Sequence, residues 1–196
     1  MTLLDYANPS ADQWLAWAAD NNIAPEVMAF AKQYPTAFDR YDQTDDENFY
    51  IFNPLKGQTR AFCSPRSLEK ASHLIASRAT LGDALLPALI GTVGESTARD
   101  MEAMVHLSDT IPSFEAVCKD PAKAKLPTNA AGYFLMAFML SGRVKPDTLD
   151  AVVEYVNRWD SFEALTLFVH ALASSKTKVG WAFTGSTESR ASKTAP

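Results

Sequence analysis

An arginine in the first turn of a helix is the residue of this chain best placed to do chemistry. In the run Ala61-Phe62-Cys63-Ser64-Pro65-Arg66-Ser67-Leu68, Ser64 is of a type that caps helices and Pro65 of a type that fills the first helical position. Arg66 then projects beside the positive end of the helix dipole, where amides without intrahelical partners favour an anion. Its guanidinium has the planar fork that grips phosphate through two parallel hydrogen bonds. The same position also suits a solvated surface charge, or an ion pair with Glu69 or Asp83.

Other chemistries lack their parts. A P-loop needs G-x-x-x-x-G-K-[ST], so that backbone amides cradle phosphates and the lysine reaches them. The nearest string here, Gly91-Thr92-Val93-Gly94-Glu95-Ser96-Thr97, has no lysine and the wrong spacing. There is also no apolar run ending in paired acids to hold Mg²⁺. His73, His106 and His170 fall on separate expected helices, and Cys63 and Cys118 are isolated, so neither a metal site nor a zinc motif is expected. No G-x-S-x-G elbow occurs. The chain is therefore not expected to be an enzyme on its own.

Composition narrows the partners. The net charge of -5 and the acidic stretch from Asp39 to Glu47 argue against nucleic acid, which calls for clustered Lys and Arg. The longest apolar runs, such as Tyr133 to Leu140, are too short for a bilayer. The first ten residues lack the basic and apolar regions of a secretory leader, and two scattered cysteines suit a reducing cytoplasm. With 196 residues, 47% of them hydrophobic, the chain has material for one real core.

The elements that must position Arg66 read as helices throughout, which gives an all-α, irregular helical bundle. Ser10 caps a helix with Trp14, Leu15, Trp17 and Ala18 on its apolar side. Pro25 opens a second, with Val27, Met28, Phe30 and Ala31, and Tyr34-Pro35 closes it. Residues 49–62, rich in aromatics and turning at Lys56-Gly57, suggest a small two-stranded β ribbon. From Pro65 the helix carries Leu68, Ala71, Ser72 and Ile75 inward. Thr80, with Asp83 as a capping-box partner, starts the next, whose stripe is Leu81, Leu85, Ala88 and Leu89, with Pro87 kinking or shortening it.

Gly91 and Gly94 mark a join before a helix from Ser96 to Leu107 that buries Ala98, Met101, Met104 and Val105. A short helix follows Pro112-Ser113, and Asn129 to Leu140, apolar almost all round, reads as the central buried helix. Pro146 opens a helix with Leu149, Val152, Val153 and Val156 inward, and Ser161 caps a last one with Leu165, Phe168, Val169 and Leu172 inward. Residues 1–183 are read as the helical domain, and 184–196, with no core-forming side chains, as a disordered polar tail.

The segment from Phe62 to Ser72 resembles the sensor 2 region of MoxR-type AAA+ ATPases of bacteria and phages, which runs aromatic, small residue, Ser or Thr, Pro, Arg, Ser, then helix. Trp14-Leu15-Ala16-Trp17-Ala18 with Ile23-Ala24-Pro25 is similar to the helix pair before it, and Leu89-Ile90-Gly91-Thr92-Val93-Gly94-Glu95 to the glycine join after it. Pro121, Pro127 and Tyr133 are similar to the closing section, so the resemblance covers about Asn8 to Phe183. It implies a C-terminal helical lid whose sensor 2 arginine, here Arg66 with Arg60 as a neighbouring contact, meets ATP phosphates. In that family the lid packs over a nucleotide held by an α/β core, which here, with its Mg²⁺, would come from an ATPase core chain or neighbouring AAA+ subunits. The chain departs from the family in lacking both core motifs. The other expectation is a helical interaction or scaffold module that has no nucleotide role.

Overall fold

Helix boundaries in this protein follow its capping residues. The computed structural model describes residues 8–42, 48–56 and 61–174, and the expected tail lies outside them. Helix α1 (Ala11–Ala18) starts at Ser10, whose hydroxyl accepts the Gln13 amide while Gln13 returns its side-chain oxygen to the Ser10 amide at 2.9 Å. Helix α2 (Pro25–Gln33) has Pro25 in its first turn but only Ala24 as a cap. The amide of Ala24 itself is held from another helix, donating to Ser72 Oγ at 2.7 Å. A 3₁₀ turn, Pro35–Phe38, ends the α2 segment.

Ser72 belongs to α3 (Pro65–Ala76), which buries Leu68, Ala71, Ser72 and Ile75, the four residues its spacing assigned inward. A short α4 (Arg78–Leu81) and a 3₁₀ turn (Gly82–Ala84) lead to α5 (Leu85–Val93) and α6 (Glu95–Ser108). The expected start at Thr80 is not seen: Thr80 lies inside α4, Gly82 at φ +51° breaks the chain, and α5 begins at Leu85. Pro87 falls in the first turn of α5, where its missing amide costs no hydrogen bond, so it produces no kink.

The remaining helices are α7 (Phe114–Lys119), α8 (Ala130–Arg143), α9 (Leu149–Val156) and α10 (Phe162–Ser174). Asn129 caps α8 through the Gly132 amide at 2.8 Å, and Ser161 caps α10 through the Ala164 amide at 3.2 Å. The architecture is all-α. No strand occurs among the described residues, so the ribbon expected over 49–62 is not formed there. Residues 48–53 instead run irregularly, Pro54–Lys56 is a 3₁₀ turn, and one backbone bond, from the Cys63 amide to the Tyr50 carbonyl at 2.8 Å, ties the two arms together.

Helix α8 sits between two apolar clusters. Its Phe134, Leu135 and Phe138 join a core built by α1, α2, α3, α5 and α6, in which Val27, Phe30, Leu68, Leu89 and Met101 have no exposure. Its Tyr133, Met136, Ala137 and Leu140 join a second core with α7, α9 and α10. The second core is rich in rings: Trp159 meets Tyr133, Tyr155 and Phe168 edge to face at 5.5–6.3 Å. Two of its polar tips are answered, Tyr133 donating to Asp160 at 2.6 Å and Tyr155 to the Lys125 carbonyl at 2.7 Å, while the buried Trp159 indole nitrogen has no hydrogen-bond partner among the described residues. Three residues expected inward are exposed: Trp17, Val153 and Val169. In α9 the inward place beside Val152 and Val156 is taken by Tyr155, two residues on from Val153 and so on the opposite side of the helix.

Candidate functional site

The mouth of α3 is assembled by three separate restraints. The first is local. Ser64 is extended (φ −155°, ψ 159°) and its Oγ accepts the Ser67 amide at 3.1 Å, while the Ser64 amide donates to Ser67 Oγ at 2.8 Å. Ser67 thus plays the part usually taken by Glu or Gln in a capping box. The second restraint is the Cys63–Tyr50 backbone bond described above. Tyr50 is itself held by a hydrogen bond from its hydroxyl to Asp100 Oδ2 at 2.9 Å and by ring contacts with Phe30 and Tyr34 at 5.9 and 5.6 Å. Burial, then the bond to the Asp100 carboxylate, pushes the Tyr50 phenol well above its usual range.

The third restraint is a glycine. Gly94, at the α5–α6 join with φ +85°, lies so close to the incoming chain that a Cβ there would stand 2.6 Å from the Ala61 carbonyl oxygen. Only glycine satisfies both the backbone angle and the contact. Behind the mouth, Cys63 is buried (3% exposed) and unbonded to Cys118; burial pushes its thiol up to about 12. It is an inert wall, not a nucleophile.

Arg66 emerges from this rigid frame into solvent. The first-turn amides are nearly all taken. Pro65 has none, Ser64 and Ser67 use theirs in the capping box, and Leu68 donates to the Ser64 carbonyl at 2.9 Å. The amide of Arg66 is the one left over, so the helix mouth offers an anion one backbone donor rather than an open cradle, and the guanidinium carries most of the attraction. Neither Glu69 nor Asp83 engages it among the described residues. On the same outer face stand Lys70 and His73, four and seven residues on, both exposed.

Arg66 is distinguished by comparison with the other described arginines. Arg40 meets Asp42, Arg78 meets Glu26 and Asp109, Arg99 meets Glu95 and Arg143 meets Glu115. Arg158 donates to the carbonyls of Pro121 and Ala124 and covers the Tyr155 ring. Among the described residues, Arg66 is the arginine without such a partner. Arg60, the expected neighbouring contact, lies outside the described residues.

Beside Arg66 the surface is aromatic. Phe62, four residues before it, stacks on Phe52 with centroids 5.1 Å apart, and both are more than a third exposed. Phe49 and Leu55 on the same segment are exposed at 70% and 85%. In the fold Tyr50, Ile51 and Asn53 turn inward along that segment, which leaves Phe49, Phe52 and Leu55 facing water.

A second charged group went unsuspected in the sequence. Glu26, in the first turn of α2, is 6% exposed, and Arg78 at the start of α4 reaches it at 3.0 Å while also contacting Asp109 at 3.6 Å. These three come from distant parts of the chain and line a cleft of about 1000 Å³ with Ile23, Ile75 and Phe138. Because its charges answer one another, this cleft is a structural tie. His73, His106 and His170 are exposed on three different helices, and no cluster of three metal-ligating side chains occurs among the described residues. No single described helix is long and apolar enough to cross a membrane.

Against known proteins the chain finds no counterpart: no family model, no curated protein and no solved structure matches it.

Proposed function

We propose that this chain is the helical lid, or regulatory portion, of a MoxR-type AAA+ ATPase, acting when an ATPase core is joined to it. The observation that carries the reading is the exposed, unpartnered Arg66 at a capped helix mouth beside an aromatic shelf. A guanidinium held without an internal acid keeps its full attraction for phosphate. The frame that aims it spares part of the entropy cost of ordering a long side chain. The fit to a nucleotide is partial: Arg66 and Lys70 supply cations for phosphate oxygens, while no cluster of three metal-ligating side chains occurs among the described residues. The core would have to provide the metal ligands and most of the phosphate cradle. The exposed Phe49, Phe52, Leu55 and Phe62 give such a core an apolar surface to cover.

Isothermal titration tests this directly. The chain alone should bind ATP weakly or not at all, and a core chain bearing a P-loop should bind the wild-type chain and turn over ATP. Arg66→Ala should lower the turnover of that complex by about tenfold or more, as expected for loss of one charged contact to a phosphate. An unchanged rate rules out the role given to Arg66.

A second reading, an interaction module without a nucleotide role, is favoured by a separate observation. Phe162 and Val169 on α10 are 83% and 58% exposed. They lie on a different helix, α10, which packs on α8 in the second core. If a partner protein is captured through α10 and Arg66→Ala has no effect, the scaffold reading stands in place of the lid.

A further inference from the structure

Helix α10 turns an apolar stripe outward. Phe162 and Val169 are 83% and 58% exposed, and Thr166 and Ala173 are exposed with them. Steps of four, three and four residues separate these positions, which on a helix puts them along one line. Half-buried Leu165 and Leu172 border the line on one side. Exposed Glu163 and His170 border it on the other, beside a groove of about 370 Å³ between α10 and α1. Asp12 and Lys32 also line that groove and answer each other at 3.9 Å. Glu163 and His170 have no ion-pair partner among the described residues.

Read in reverse, the stripe is its own complement. When a second α10 lies antiparallel on the first, Phe162 of each copy falls opposite Ala173 of the other, a large side chain against a small one. Thr166 falls opposite Val169, next to the twofold axis. The same register sets Glu163 against His170, where an imidazole N–H can donate to the carboxylate, and Leu165 against Leu172. Each of these pairs occurs twice, as a twofold axis requires. A copy running in the same direction would instead set each stripe residue on its like, Phe162 on Phe162.

We propose that α10 is the seam of a twofold homodimer, with the two helices antiparallel and the axis passing the Thr166–Val169 layer. The charge order along the helix, acid near its start and imidazole near its end, fixes the direction, and the apolar stripe supplies the attraction. A seam of one short helix is smaller than a standard interface of about 800 Å² per partner, so the dimer dissociates at roughly 10–100 μM chain.

Sedimentation velocity of the full chain from about 1 to 500 μM reads the association. The wild type should pass from monomer to dimer across that range. Val169→Glu, at an exposed position beside the axis, should weaken the dimer by about a hundredfold or more without lowering the melting temperature. If that variant melts early, Thr166→Lys on the same exposed stripe takes its place. His170→Glu, which sets acid against acid twice, should weaken the dimer by about tenfold, and adding Glu163→His to it should restore the wild-type affinity. A chain that stays monomeric throughout overturns the proposal. So does a dimer that survives the stripe variant, which would place the contact on another face, and so does a charge exchange that fails to restore association. A dimer lost with the stripe variant and recovered by the exchange upholds it.

Discussion

The two ends of α3 carry an arginine each, and their fates are opposite. Arg78, just past the C-terminal end, is drawn into a tie among α2, α4 and the end of α6, meeting buried Glu26 and exposed Asp109. Arg66, in the first turn, faces solvent without a partner. Both residues sit on the same short segment, and helix propensity does not tell them apart. The difference lies in what surrounds each. A buried carboxylate cannot be left alone, so Arg78 is spoken for by the fold. An arginine that the fold does not use is free for something the fold does not contain. This contrast separates a cation that the fold uses from one that it leaves open, and it can be broken experimentally.

The largest effect should come from the face that both ends share. Leu68→Ala removes a fully buried side chain from the back of α3 and should cost about 3 kcal/mol in denaturant unfolding. Arg78→Ala should cost about 2 kcal/mol, less than for a fully enclosed pair because Arg78 is 40% exposed. Adding Glu26→Gln should recover part of that loss, since the carboxylate is the group stranded without its cation. If Arg78→Ala is neutral, the tie has no structural value and the contrast fails.

Alkaline pH offers an intermediate test. Cys63, pushed up to about 12 by burial, and Tyr155, likewise at about 12, hold their protons in the fold longer than in the unfolded chain, as do Tyr34, Tyr50 and Tyr133. The unfolded state therefore loses protons first as pH rises. Stability is fully present below about pH 9, where the unfolded thiol begins to titrate, and falls progressively through about pH 12. A melting temperature that stays level from pH 8 to 11 contradicts the burial of these groups. The smallest effect is expected at the mouth: Arg66→Ala should change stability by no more than about 0.5 kcal/mol, in the same unfolding experiment that exposes Arg78. A loss as large as that of Arg78 would mean that Arg66 is structural after all.

Much of α3 was legible in the sequence because its determinants are local. Ser64, Pro65 and the inward stripe of Leu68, Ala71, Ser72 and Ile75 act within one helix, and all of them fall where their spacing put them. The place of Arg66 in the first turn follows from the same residues. Its isolation does not, because that depends on where Glu69 and Asp83 end up in three dimensions. The Glu26–Arg78–Asp109 tie joins segments more than 25 residues apart, and no local signal marks it. Over 49–62 the density of aromatics resembles a strand, whereas in the fold Tyr50 is held by the rings of Phe30 and Tyr34 and by Asp100, contacts that no local signal marks. In α10, apolar residues on both sides left the period ambiguous. Ala164, Phe168 and Ala171 took the inward face, and Val169 was left outside.

The close approach at Gly94 ties two segments that are far apart in sequence. A side chain at Gly94 would stand 2.6 Å from the Ala61 carbonyl oxygen, so any larger residue there would have to push the chain entering α3 away from the elbow between α5 and α6, and with it the mouth from which Arg66 projects.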